Sequence, residues 1–192
     1  MAFSLAALRS RLQQHQPRRL PVDGAHHAAV LVPLSGDHES LRLLCFRRTD
    51  HVLHPGEICF PGGSLEAHDD GPVAAALREA REELGLVPSG VEVLGMLDDV
   101  ETVVSNYVIT PVVGYCADAS GVRPDALEVA EVISVPVSRL TQAGVESAQW
   151  LEYRGVGKLR YSYEFDGHRI WGATGRILRS LIDLWREELS TA

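Results

Sequence analysis

Residues 63–86 read GSLEAHDDGPVAAALREAREELGL, and Arg78-Glu79-Ala80-Arg81-Glu82-Glu83-Leu84-Gly85-Leu86 within them places three glutamates in five positions. The apolar residues Val73, Ala76, Leu77, Ala80 and Leu84 recur at the spacing of a buried helical stripe, which predicts a helix over residues 72–84. Asp69 and Asp70 are the expected N-caps, Pro72 suits a first turn that needs no N–H, and Gly85 suits a left-handed stop. With about 100° between successive residues, Glu79, Glu82 and Glu83 are expected to project from one edge of that helix. Like charges so placed destabilise a helix by roughly 0.2–0.5 kcal/mol per pair. A hard divalent cation with oxygen ligands removes the repulsion; the alternative is a solvated acidic face paired with Arg78 and Arg81.

Directly upstream, residues 54–63 read HPGEICFPGG and end in a Pro-Gly-Gly turn. Adjacent glycines tolerate positive φ and let the backbone approach a ligand, so the Gly63 carbonyl is a candidate oxygen donor beside the glutamates. Loop and helix together resemble the Nudix box. That pattern is Gly, five residues, Glu, seven residues, then Arg-Glu-apolar-any-Glu-Glu-any-Gly-apolar, and Arg78 to Leu86 follow its second half with a small Ala80. The first half departs: Asp69 stands where the pattern has Glu, with eight residues and not seven between it and Arg78, and it is left out of the expected site.

The stretch before the box is similar to the coenzyme A pyrophosphatase branch of the Nudix family. Leu43-Leu44-Cys45-Phe46-Arg47 and Gly56 through Phe60-Pro61-Gly62-Gly63 keep the frame of that branch's signature without a gap. Cys45, Arg48 and Val52 replace its Thr, its Ser or Ala, and its second Arg. Downstream, residues 97–100, 107–114 and 170–174 also look like that branch. The resemblance implies a metal-dependent hydrolase that cleaves the pyrophosphate bond of coenzyme A or acyl-coenzyme A to 3′,5′-ADP and 4′-phosphopantetheine. With Val52 at an arginine position, ADP-ribose, NADH or a nucleoside triphosphate stays open as substrate, as does a non-catalytic nucleotide-binding regulator.

By the same resemblance, Glu79, Glu82 and Arg78 are the expected catalytic residues, and Glu79, Glu83, Glu82 and the Gly63 carbonyl the ligands of Mg²⁺ or Mn²⁺. Arg78 is expected to buttress a glutamate. Arg47, Arg48, Phe60 and Gly62 are the expected substrate contacts. The general base is one of Glu79, Glu82, Asp99, Glu101, Glu128 and Glu131.

Composition agrees with a small anionic substrate. The net charge of −8 over 192 residues opposes binding to a nucleic-acid backbone. Lys158 is the single lysine, so arginine forks are left to meet phosphate oxygens. The three cysteines lie among apolar neighbours without paired spacing and read as buried thiols. His51 and His54 lack a zinc motif, and neither a Gly-x-Ser-x-Gly elbow nor a Walker lysine occurs. No membrane-length apolar run or secretory leader is apparent, so a cytoplasmic location is expected; a homodimer stays open.

The expected fold is α/β, a Nudix-type α/β/α sandwich with a mixed central sheet. Strands are predicted over residues 28–33, 42–47, 91–97, 107–115 and 129–136, with a hairpin of 158–165 and 168–171 across Asp166-Gly167. Helices are predicted over 4–14 and 174–187 as well. Residues 1–24 are read as an N-terminal helix and linker, and 25–192 as the Nudix hydrolase domain including the C-terminal helix.

Overall fold

Ten consecutive residues of β1 (His26–Ser35) pair in parallel with β7 (Tyr107–Cys116), from His26 opposite Tyr107 to Ser35 opposite Cys116. In the computed structural model, which describes residues 4–37, 40–102, 105–153 and 156–186, this pair is the spine of an eight-stranded mixed sheet. β2 (Arg42–Arg48) runs antiparallel to β1 and to β8 (Val129–Pro136), and its far end pairs with β3 (Ile58–Cys59). β4 (Gly62–Ser64) lies antiparallel on β1, while β5 (Glu92–Met96) and β6 (Val100–Glu101) pair with β7.

Alternation along the strands divides the core into two layers. Ala29, Leu31, Phe46 and Val112 face α2 (Pro72–Leu84) and pack with its Ala75, Ala76, Ala80 and Leu84. Val32, Leu34, Leu43, Cys45 and Val113 face the other way, towards α1 (Leu5–Gln14) and α4 (Gly172–Arg186). The sheet therefore lies between helices, as the resemblance implied. α3 (Val137–Leu140) is a single turn after β8. A second sheet joins β9 (Glu146–Tyr153), β10 (Val156–Phe165) and β11 (His168–Ile170), with Asp166 and Gly167 both at positive φ in the expected tight turn. Glu187, the expected end of the last helix, lies outside the described residues. No helix among the described residues is long and apolar enough to cross a membrane.

The N-terminal segment shares the main core. Leu5, Leu8 and Leu12 are buried, and the Trp185 indole N–H donates to the Ser4 carbonyl at 3.1 Å. Beyond α1, the chain is strapped to the buried carboxylate of Asp99: the Leu20 amide and the Thr110 hydroxyl each donate to it at 2.9 Å, and Arg19 pairs with it. The smaller sheet contributes Tyr163, Phe165 and Ile170 to the core layer of α1 and α4, opposite α2. Truncating Leu8 to Ala is expected to cost about 2–5 kcal/mol in urea unfolding, as for a fully packed core leucine. A cost below about 0.5 kcal/mol, the level of a surface change, would contradict α1 as core.

Candidate active site

Gly71, at positive φ, begins α2 without a side-chain cap, and Gly85 ends it in the left-handed conformation. The expected capping by Asp69 or Asp70 is therefore absent, because Asp69 is committed elsewhere. Its two carboxylate oxygens receive Nε and Nη2 of Arg78 at 3.0 and 2.9 Å, and the Glu66 amide donates to it at 2.8 Å. This pairing holds the Asp69 carboxyl down at about 2, with the Arg78 hydrogen bonds as the main cause. Arg78 also donates to Glu79 at 2.8 Å, to Glu82 at 3.2 Å and to the Ser64 carbonyl at 3.0 Å. The arginine thus stitches the box loop to the glutamates of the helix.

The three glutamates do not share one environment. Glu82 and Glu83 are adjacent, hence about 100° apart around the axis. The Glu82 side chain is half in solvent, whereas Glu83 points at the sheet and is 3% exposed. Glu83 Oε2 accepts the Gly62 amide at 2.8 Å, and Oε1 lies 3.9 Å from the Arg48 guanidinium. Glu79 lies between these extremes, against Gly63: a Cβ on Gly63 would stand 2.3 Å from Glu79 Oε1.

Gly62 and Gly63 are used for their size, not for positive φ, which neither residue has. A Cβ on Gly62 would come within 2.4 Å of the Ala29 carbonyl on the paired strand. The missing side chains let β4 press onto β1 and let Glu79 approach the backbone.

Burial raises the proton affinity of the Glu83 carboxyl to about 8; the Gly62 amide and Arg48 oppose this, and Glu79 and Glu128 add to it. Glu79 is also raised, chiefly by burial, against the pull of Arg78. Glu128, on the loop before β8, acts on both carboxyls. That loop is fixed to the same helix end, since the Arg123 and Asp125 amides donate to the carbonyls of Leu84 and Glu83 at 2.8 and 2.9 Å. The Glu128 carbonyl in turn accepts the Thr49 amide at 3.0 Å.

The donors available to a metal ion are all oxygens, and the carboxyls of Glu79 and Glu83 are crowded and costly to ionise without a cation. That chemistry fits a hard divalent ion. No three acidic, imidazole or thiol side chains among the described residues stand ready around one point, so side-chain rotation is part of any binding by these carboxylates.

The other sequence-derived residues separate. Arg48 faces α2, but Arg47 turns to the opposite side of β2, donating to Glu131 at 3.1 Å and to the Gly56 carbonyl at 3.4 Å, with His168 Nδ1 at 3.0 Å from its Nη2. Neighbours on a strand alternate faces, so the pair does not act as one phosphate clamp. Phe60 is 3% exposed within the core, and the Gly62 amide is spent on Glu83. Asp99 is buried in the N-terminal strap and Glu131 pairs with Arg47. What composition and spacing missed is the Asp69–Arg78 clamp; its signal was the five-residue interval from Gly63 to Asp69.

Residues 25–158 match the NUDIX domain model. The chain belongs to the Nudix family. Among its Nudix relatives, a protein of Yersinia enterocolitica called uncharacterized Nudix hydrolase NudL is 35% identical over 176 residues, covering 90% of this chain and 88% of that one. The NudL of Pectobacterium atrosepticum is 34% identical over 187 residues, 94% of each chain. In fold, the chain is similar to a MutT/nudix family protein from Enterococcus faecalis, with a TM-score of 0.58 at 16% identity over 96% of this chain and 70% of that one. The NUDIX domain of Shewanella oneidensis NrtR gives 0.53 at 16% identity over 92% of each. The enzyme is a Nudix hydrolase of the pyrophosphatase type, a class that uses divalent metal and small nucleotide substrates.

Two outcomes follow from this geometry. Gly63→Ala forces Glu79 away from β4, and is expected to weaken Mn²⁺ binding at least roughly tenfold in a metal titration while the far-ultraviolet circular dichroism is kept; unchanged affinity would contradict the packing role. Glu83 has a folded proton affinity above that of the unfolded chain, so metal-free stability falls as pH rises from about 4.5 to about 8, and Mn²⁺ affinity rises over the same range. Thermal melts with and without Mn²⁺ across that range check both signs. A metal-induced shift that shrinks with rising pH would contradict them.

Proposed function

We propose that this Nudix hydrolase cleaves the diphosphate of coenzyme A or an acyl-coenzyme A, giving 3′,5′-ADP and 4′-phosphopantetheine or its acyl form. The observation that carries the hydrolytic reading is the buried carboxyl of Glu83, fixed by the Gly62 amide beside Glu79 and Glu128. The substrate rests on the signature frame from Leu43 to Gly63.

Glu79 and Glu83, with Glu82 and the Gly63 carbonyl, would hold Mg²⁺ or Mn²⁺. The chemistry such an ion supplies is charge neutralisation on the diphosphate oxygens and acidification of a bound water. Arg78 keeps the loop and the helix in register through Asp69 and the Ser64 carbonyl. Arg48, the arginine on the α2 face, receives a phosphate oxygen.

Glu128 is the proton acceptor. It is half-buried, acts on Glu79 and Glu83, and its carboxylate has no hydrogen bond or ion pair among the described residues. It takes a proton from the attacking water as the water oxygen bonds to one phosphorus. The bridging oxygen then leaves on the other phosphate. Arg47, tied to Glu131 and His168, positions the end of β2 and does not touch substrate.

A second reading keeps the chemistry and exchanges coenzyme A for ADP-ribose or NADH, because Val52 stands where the signature has an arginine. The missing charge-assisted contact is worth roughly 1.5–3 kcal/mol. Mass-spectrometric product identification on coenzyme A, acetyl-coenzyme A, ADP-ribose and NADH with Mg²⁺ decides. The expected result is 3′,5′-ADP with 4′-phosphopantetheine, and Glu128→Gln lowering kcat by roughly 10²–10⁴. Turnover of ADP-ribose or NADH with none of coenzyme A would overturn the substrate. Absence of turnover on the whole panel, with nucleotide binding kept in Glu83→Gln, would favour a non-catalytic binder.

A further inference from the structure

Arg48 closes β2 where the register against β8 shifts, and both of its backbone polar groups are engaged. Its amide donates to the Glu57 carbonyl at 3.0 Å, and its carbonyl accepts from the Gly56 amide at 3.1 Å. The guanidinium is then pinned by neutral acceptors. Nε donates to the Leu53 carbonyl at 2.8 Å and Nη1 to the Cys59 sulfur at 3.8 Å, with the side chain 19% exposed. Its one ion pair among the described residues is with Glu83, at 3.9 Å and without a hydrogen bond. A positive charge is thereby held beside the carboxylate but not joined to it. In a poorly hydrated pocket such a charge repels a divalent cation approaching Glu83 and attracts the oxygens of a diphosphate.

We propose that Arg48 is a specificity-determining counter-charge that keeps the cation affinity of the free enzyme low, so that firm loading requires the anionic substrate alongside. The inference rests on Glu83 being a metal ligand. A neutral residue at position 48 leaves the carboxylates to the cation alone, and the same change removes a partner of the phosphate. Tighter metal with weaker substrate is therefore the signature, whereas loss of a merely structural side chain would weaken both.

Metal-stripped protein titrated with Mn²⁺ alone, read by electron paramagnetic resonance at alkaline pH and low ionic strength, separates the two statements. Arg48→Gln is expected to bind Mn²⁺ roughly 5–20-fold more tightly than wild type, and Arg48→Lys, which keeps the charge, to remain within about twofold. Glu83→Gln is expected to bind at least roughly tenfold more weakly. Affinity of Arg48→Gln equal to or below that of wild type overturns the proposal while leaving Glu83 as a ligand. If thermal melting shows Arg48→Gln to be unfolded, Arg48→Met, which keeps the packing of the stem, is judged by the same criterion. Wild-type affinity in Glu83→Gln overturns the metal reading, and the proposal with it.

Discussion

Two adjacent glycines in β4 decide how the acidic helix meets the sheet. Gly62 and Gly63 form most of β4, and a Cβ on either would collide, with the Ala29 carbonyl at 2.4 Å or with Glu79 Oε1 at 2.3 Å. Because neither is present, β4 lies flat on β1 and its Gly62 amide reaches Glu83 at 2.8 Å. A carboxylate that is 3% exposed needs such a partner, since an unsatisfied buried charge is among the costliest features a fold can carry. The alanines of α2 complete the arrangement by letting the helix approach closely enough for Glu83 to face inward.

Around that contact the charges are unbalanced by design of position. Arg78 serves the outer side, where it joins Asp69, Glu79 and Glu82 and binds the loop to the helix. On the inner side, the groups acting on Glu83 are Glu79 and Glu128 against Arg48, an excess of carboxyl charge. Burial first, and that excess after it, raise the proton affinity of Glu83, and this is the electrostatic condition under which a hard cation gains most from entering. The same loop that carries Glu128 is hydrogen-bonded to the end of α2, which fixes Glu128 near the glutamates of the helix.

Much of this was legible in the chain. α2 spans Pro72–Leu84 as its apolar period indicates, and β8 spans Val129–Pro136, because stripes and β-branched runs report burial directly. β9 escaped: ESAQWLEY mixes polar and apolar residues without a clean alternation, and it is a strand because β10 pairs with it. β4 escaped for the opposite reason, as glycines are poor strand formers chosen here for close approach. The site was legible in its residue types but not in its orientations. Glu82 and Glu83 part company on the helix, Arg47 and Arg48 on the strand, and Asp69 binds Arg78 where a cap was expected.

The measurement that bears most directly on the central claim is the anomalous difference density of a crystal soaked in Mn²⁺. The predicted result is a peak bounded by the carboxylates of Glu79 and Glu83 and the Gly63 carbonyl, with Glu79 turned away from Arg78. A fully soaked crystal with no peak there, or with its manganese held elsewhere in the chain, would contradict it.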